Sequence, residues 1–171
     1  FPNTYAKMKT LLTINKIFVH SEVNNKSFFT DFNAKLNVIY GANTSGKSTL
    51  IQLILFTFGI NDNKTKLTKI LSENIFTRLD ISIKKDDEKI EYTFVRKDET
   101  IYIKDFKSNK IIKFNGISGN NSAEHVKLKE FFNQLLNFDL LLETKAGISK
   151  APIETIFLPY YVSQDVGWVY L

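Results

Sequence analysis

The sequence predicts an α/β fold with an antiparallel β subdomain, and three observations carry that prediction. Residues 41–48 read Gly-Ala-Asn-Thr-Ser-Gly-Lys-Ser and fit G-x-x-x-x-G-K-[ST] at every fixed position. An apolar, partly β-branched run precedes them (Leu36, Val38, Ile39, Tyr40) and a nearly continuous apolar run follows (Leu50 to Phe58), the strand–loop–helix order that this pattern requires. Between Ile75 and Phe114 apolar and polar residues alternate, as they do in a meander with one buried face.

The spacing in the loop has a chemical reason. A loop that wraps a triphosphate turns its backbone N–H groups inward, so Gly41 and Gly46 stand where a side chain would block the turn or the close approach. Lys47 is placed to reach the β and γ phosphates, and the Ser48 hydroxyl to ligate Mg²⁺. The helix that starts here adds its positive N-terminal end to the same anion. Leu36 to Tyr40 is expected to be a buried parallel strand, and Leu50 to Phe58 a buried helix stopped at Gly59.

The remaining elements follow in order. Residues 1–9 carry no pattern and read as a loose arm. Leu11–Val19 and Phe28–Phe32 read as strands joined through the polar Ser21–Lys26 stretch, and Asn33-Ala34-Lys35 turns the chain toward the loop. Asn61–Thr65 is polar, and Leu67, Ile70 and Leu71 suggest a short helical turn. The meander turns at Asp86-Asp87-Glu88, Asp98-Glu99 and Ser108-Asn109. Gly116–Ser122 is a loop, and a helix is expected from about Ala123 to Leu142, with Val126, Phe131, Leu135 and Phe138 among its apolar positions. Ala146–Pro152 reads as loose and polar, and Ile156–Trp168 as an aromatic-rich strand running into a loop.

Composition sets the outer bounds. A chain of 171 residues with 43% hydrophobic content suffices for one domain with a core. There are no cysteines, hence no disulfide framework or thiolate metal site. No apolar run is long enough to span a bilayer and the N-terminus lacks a signal-peptide core, so no membrane partner and a cytoplasmic location are the expectation. The net charge of +5 suits either a polyanion-facing surface or a solvated one, because Arg occurs only at 78 and 96 while Lys and Asn are abundant. The first residue is Phe rather than Met, as in a trimmed or partial chain.

Two strands, a G-x-N-x-S-G-K-S-T-L loop (Gly41 to Leu50), a meander, a helix and then Tyr160-Tyr161-Val162-Ser163-Gln164 come in an order that resembles the N-terminal lobe of the ATPase head in the SMC, SbcC, RecN and RecF group of ABC-type P-loop NTPases. The resemblance implies a nucleotide site made of Gly41, Asn43, Thr44, Ser45, Gly46, Lys47, Ser48 and Thr49. It implies ATP and Mg²⁺ as ligands, Thr49 donating to the α-phosphate, and Gln164 as a Q-loop residue reaching Mg²⁺ and the attacking water. Lys47 and Gln164 are then the catalytic candidates, and Ser48 and Gln164 the metal ligands.

Departures from the group's pattern are equally informative. Where many members carry an Arg near the nucleotide, this chain has Phe18-Val19-His20, leaving Lys16 or His20 as substitutes. No Walker B segment, LSGGQ-like signature or switch histidine stands in a matching setting; Leu135–Asp139 imitates a Walker B strand, but its periodicity is helical. In the group those parts lie on a C-terminal lobe beyond a long coiled coil, and Leu171 falls seven residues past Gln164. The implied unit is therefore one N-lobe over residues 1–171, partnered by a C-terminal lobe, a second head (a homodimer) and DNA, in repair, chromosome maintenance or phage defence. A nucleotide-gated interaction module and a self-contained P-loop kinase or GTPase are the alternatives. The latter needs an acidic Mg²⁺ ligand after a second apolar strand, and none is evident.

Overall fold

A computed structural model describes residues 10–43, 45–60, 66–117, 122–144 and 147–158. Its centre is a six-stranded sheet in the order β2-β1-β3-β4-β5-β6. The strands are β1 (Thr10–Ser21), β2 (Lys26–Asp31), β3 (Ile75–Lys85), β4 (Glu88–Lys97), β5 (Thr100–Asp105) and β6 (Lys110–Asn115). Every neighbouring pair is antiparallel. The alternation read from the sequence places Ile17, Leu79, Phe94 and Ile103 side by side across four strands, and all four are 0% exposed. Each such side chain contributes about 1.5–3 kcal/mol through burial. Asp86, Asp98 and Asn109 take positive φ in the hairpin turns, a conformation these two residue types tolerate better than others.

Helices α1 (Lys47–Thr57) and α3 (Ala123–Leu136) cover the inner face, with the short α2 (Lys66–Leu71) and α4 (Ile153–Phe157) beside them. Phe58, just past α1, meets Phe94 edge-on at 5.5 Å and Phe132 at 5.7 Å, and stacks on Phe157 at 4.6 Å. Two polar links fix the far end of α1 to the sheet. Thr57 Oγ1 lies 2.8 Å from Thr77 Oγ1. The Arg96 guanidinium donates to the carbonyls of Phe56 and Asp98, and its centre lies 3.7 Å from the centre of the Phe56 ring. Arg96 is 2% exposed, and burial pulls its pKa down to about 9 against the opposing pull of Glu99 and Asp98. A cation held this deep is stabilised by the carbonyls that accept from it, Phe56 O at the end of α1 and Asp98 O in the β4–β5 turn.

Four expectations are corrected. Leu36 to Tyr40 belongs to no strand: Leu36, Val38 and Tyr40 are 77%, 76% and 91% exposed. Its β-branched character expresses strand propensity, but a parallel strand needs a nonlocal partner, and none pairs with it among the described residues. Helix α3 ends at Leu136 rather than near 142, because Asn137 turns left-handed (φ 51) and caps it; Val126 is 36% exposed, while the expected Leu135 is buried together with Leu128 and Phe132. Residues 147–150 are not loose but form β8 (Gly147–Lys150), paired with β7 (Leu141–Thr144). Finally, Ile156 and Phe157, expected to open an aromatic-rich strand, instead end helix α4, which starts after Pro152. Residues 1–9, 61–65 and 159–171 lie outside the described residues, so the expected arm, polar loop and most of the aromatic segment go undescribed. Among the described residues no helix is long and apolar enough to cross a membrane.

Candidate nucleotide site

Gly46 takes φ 86 and ψ 8, a left-handed conformation, and serves as N-cap of α1. A Cβ there would meet nothing within 4 Å, so the backbone alone demands glycine. Gly41 matters for a different reason: a Cβ on it would come within 2.6 Å of Ser45 Oγ and 3.3 Å of Ser45 Cβ, so that the serine would have to turn aside. Between them Ser45 N donates to Ala42 O at 3.2 Å, and Leu50 N donates to Gly46 O at 2.9 Å as the helix begins.

The start of α1 has no side-chain cap and no acidic residue in its first turn. Its leading N–H groups and the positive end of its dipole therefore face the loop without an anionic side chain of their own helix to answer them. Lys47 folds back over the same loop. Its Nζ donates to Gly41 O and Ala42 O, each at 2.8 Å, and lies 3.4 Å from Ser45 Oγ. The ammonium thus waits on carbonyls that a better acceptor can replace. Ser48 is exposed, and Lys47 and Thr49 are half-buried.

A cleft of about 640 Å³ opens at this loop, bounded by Gly41, Lys47 and Thr49 on one side and by Phe28, Thr30 and Asp31 of β2 on the other, within the usual size for a small-molecule site. The exposed run 36–40 forms part of its wall. Asn33 and Asn37 brace the approach, with Asn33 N donating to Asn37 Oδ1 at 2.7 Å and Asn37 Nδ2 donating to Asn33 O at 2.8 Å.

Of the residues singled out by sequence, Gly41, Asn43, Ser45, Gly46, Lys47, Ser48 and Thr49 come together in this one loop and helix start. Thr44 and Gln164 lie outside the described residues. Lys16 and His20, considered as substitutes for a missing Arg, do not line the cleft: Lys16 pairs with Asp31 at 3.5 Å and His20 Nδ1 lies 2.9 Å from Ser27 Oγ. The Walker B imitation at Leu135–Asp139 begins in the last turn of α3, as its helical periodicity indicated. The β2 wall and the Asn33–Asn37 brace were missed; no local pattern marks them, since the cleft joins segments that pair elsewhere.

The glycine cradle also yields a modest, checkable effect. Gly46→Ala is expected to lower stability by about 1–2 kcal/mol, the cost of a left-handed non-glycine residue, seen as a fall in the midpoint of urea unfolding. An unchanged midpoint would mean that the loop does not hold this conformation.

Two comparisons with known proteins bear on the site. A family model described as an AAA domain matches residues 12–158. The chain is also 28% identical over 159 residues to the Lamassu protein LmuB of Bacillus cereus (strain VD014). That similarity covers 92% of this chain and 25% of LmuB, so the chain spans about a quarter of the length of the curated relative it matches.

Proposed function

The chain belongs to the AAA domain family, as the N-terminal lobe of an SMC-type ATPase head, and on that premise we propose that it binds ATP with Mg²⁺ at residues 41–49 and supplies half of a composite hydrolytic site. The observation that carries this reading is the open N-terminus of α1, reached through a loop whose glycines leave room for a bound anion. Lys47 leaves its carbonyls for the β and γ phosphates, and the amides of residues 41–49 hold the phosphate oxygens. Ser48 is the residue of the loop that fits Mg²⁺. Among the described residues no group of three or more His, Cys, Asp or Glu could hold a metal on its own, which suits an ion that takes most of its ligands from phosphate and water. When bound, Mg²⁺ neutralises charge that builds on the phosphates during transfer.

Hydrolysis also needs a group that activates water, and in this reading a C-terminal lobe and a second head provide it. Gln164 is assigned as the sensor that couples the γ-phosphate to lobe movement. The exposed apolar run 36–40 supports the same view, since it offers strand-forming residues to a partner sheet. ATP-driven closure of two heads would then act on DNA, in repair, chromosome maintenance or phage defence. That a curated relative is about four times longer is consistent with a lobe carried by a larger protein.

Steady-state phosphate release tests the half-site. The 171-residue chain alone is expected to turn over at least about a hundredfold more slowly than the complete protein, the usual cost of a missing acid–base group. Equal turnover by the isolated chain, abolished by Lys47→Ala, would support a self-contained enzyme and end the composite account.

A further inference from the structure

The helices of the core cover one face of the six-stranded sheet; the opposite face carries a second cavity of about 510 Å³, lined by Lys16, Phe18, Phe29, Phe76, Arg78 and Asp80. Register explains why these side chains meet. Phe29, Phe18, Arg78, Val95, Tyr102 and Lys113 stand opposite one another in a single row across all six strands, and the period of two points them away from the core. Phe18 and Phe76 have ring centres 5.6 Å apart, and His20 continues the line 5.4 Å from Phe76. Phe29 is 61% exposed. Aromatic rings gathered on a solvent face, rather than scattered singly, mark a surface that meets something.

The charges beside the rings select the partner. Lys16 Nζ sits 5.0 Å from the centre of the Phe29 ring, and Lys113 Nζ 5.5 Å from that of Tyr102. Arg78 presents a half-exposed guanidinium steered by Asp80 at 3.0 Å. Lys104, over the Phe106 ring, and Lys113 have no carboxylate within ion-pair reach among the described residues. Lys104 and Lys113, with Lys16 and Arg78 held by the carboxylates of Asp31 and Asp80, set cations among flat rings, an arrangement that complements a polyanion carrying flat bases. In a duplex the bases are already stacked, so the rings are available only to a strand whose bases are unpaired.

We propose that the outer face of the six-stranded sheet binds an unpaired nucleic-acid strand, with bases stacked on Phe29, Phe18 and Phe76 of β2, β1 and β3 and phosphates running from Lys16 and Arg78 across to Lys104 of β5 and Lys113 of β6. The inference rests on the proposed head function only for its expectation of a nucleic-acid partner, and the two fail separately. Fluorescence anisotropy with the complete protein tests it, using fluorescein-labelled oligothymidylate, oligouridylate and a blunt duplex of equal length. The single strands are expected to bind more tightly than the duplex, and the stronger of the two distinguishes a DNA-binding from an RNA-binding surface. Phe29→Ala is expected to weaken single-strand binding about tenfold, with Phe29→Tyr restoring it and ATP affinity unchanged in both. Lys104→Gln with Lys113→Gln is expected to flatten the salt dependence. The proposal is overturned if the intact protein binds neither single strand, if the duplex binds as tightly as they do, or if Phe29→Ala binds them like the parent. Loss of ATP binding in Lys47→Ala with the anisotropy intact would leave both readings standing.

Discussion

Replacing Lys47 with Ala is expected to weaken ATP binding about a hundredfold while leaving the fold essentially as stable as before. The asymmetry follows from where the ammonium sits. Its partners are Gly41 O and Ala42 O at 2.8 Å, on residues that are exposed, so water can replace the lost donor at little cost. A phosphate has no such substitute. A hydrogen bond to a charged group is worth about 1.5–3 kcal/mol, and about 2.8 kcal/mol is a hundredfold in affinity. Calorimetric titration with ATP and Mg²⁺ reads the affinity, and a thermal melt without nucleotide reads the fold. A variant that bound ATP as tightly as the parent would remove Lys47 from the site. One that melted much earlier would make it a structural lysine.

The parts of the molecule that were legible in the sequence are those whose physics is local. The meander from β3 to β6 could be read because alternation reports the buried face and Asp98 or Asn109 reports the turn. The loop could be read because its spacing is itself a chemical requirement. Whatever depended on distant partners was not legible. Arg96 sits in a strand beside Phe94, and nothing nearby says that its guanidinium will bind the carbonyl of Phe56, forty residues away. The end of α3 turned on Asn137 taking a left-handed conformation, which a stretch rich in leucine on both sides concealed. Phe28, Thr30 and Asp31 have the pattern of an ordinary strand, yet they wall the cleft because β1 lies between β2 and β3 and brings the first hairpin beside α1.

The same distinction between local and distant physics predicts the largest effect of a single substitution away from the loop. Val38 is 76% exposed and Val23, in the turn between β1 and β2, is 67% exposed. Aspartate at either exposed position should shift the stability of the lobe by no more than about 0.5 kcal/mol. Val38 also lines the nucleotide cleft while Val23 does not, so ATP affinity is titrated beside turnover and must stay unchanged for a loss of turnover to report docking. Their positions along the chain set them apart. Val38 stands in the apolar run that enters the phosphate loop, and a parallel strand at that place is covered on both faces once a partner sheet docks. Burying an unpaired carboxylate there would cost several kcal/mol, enough to prevent docking. Val38→Asp is therefore expected to leave the melt of the isolated lobe unchanged, yet to lower phosphate release by the complete protein more than about a hundredfold. Val23→Asp should leave both untouched. If the two variants behave alike in the complete protein, the run from Leu36 to Tyr40 is an ordinary exposed segment and the proposal that a partner sheet docks on it fails.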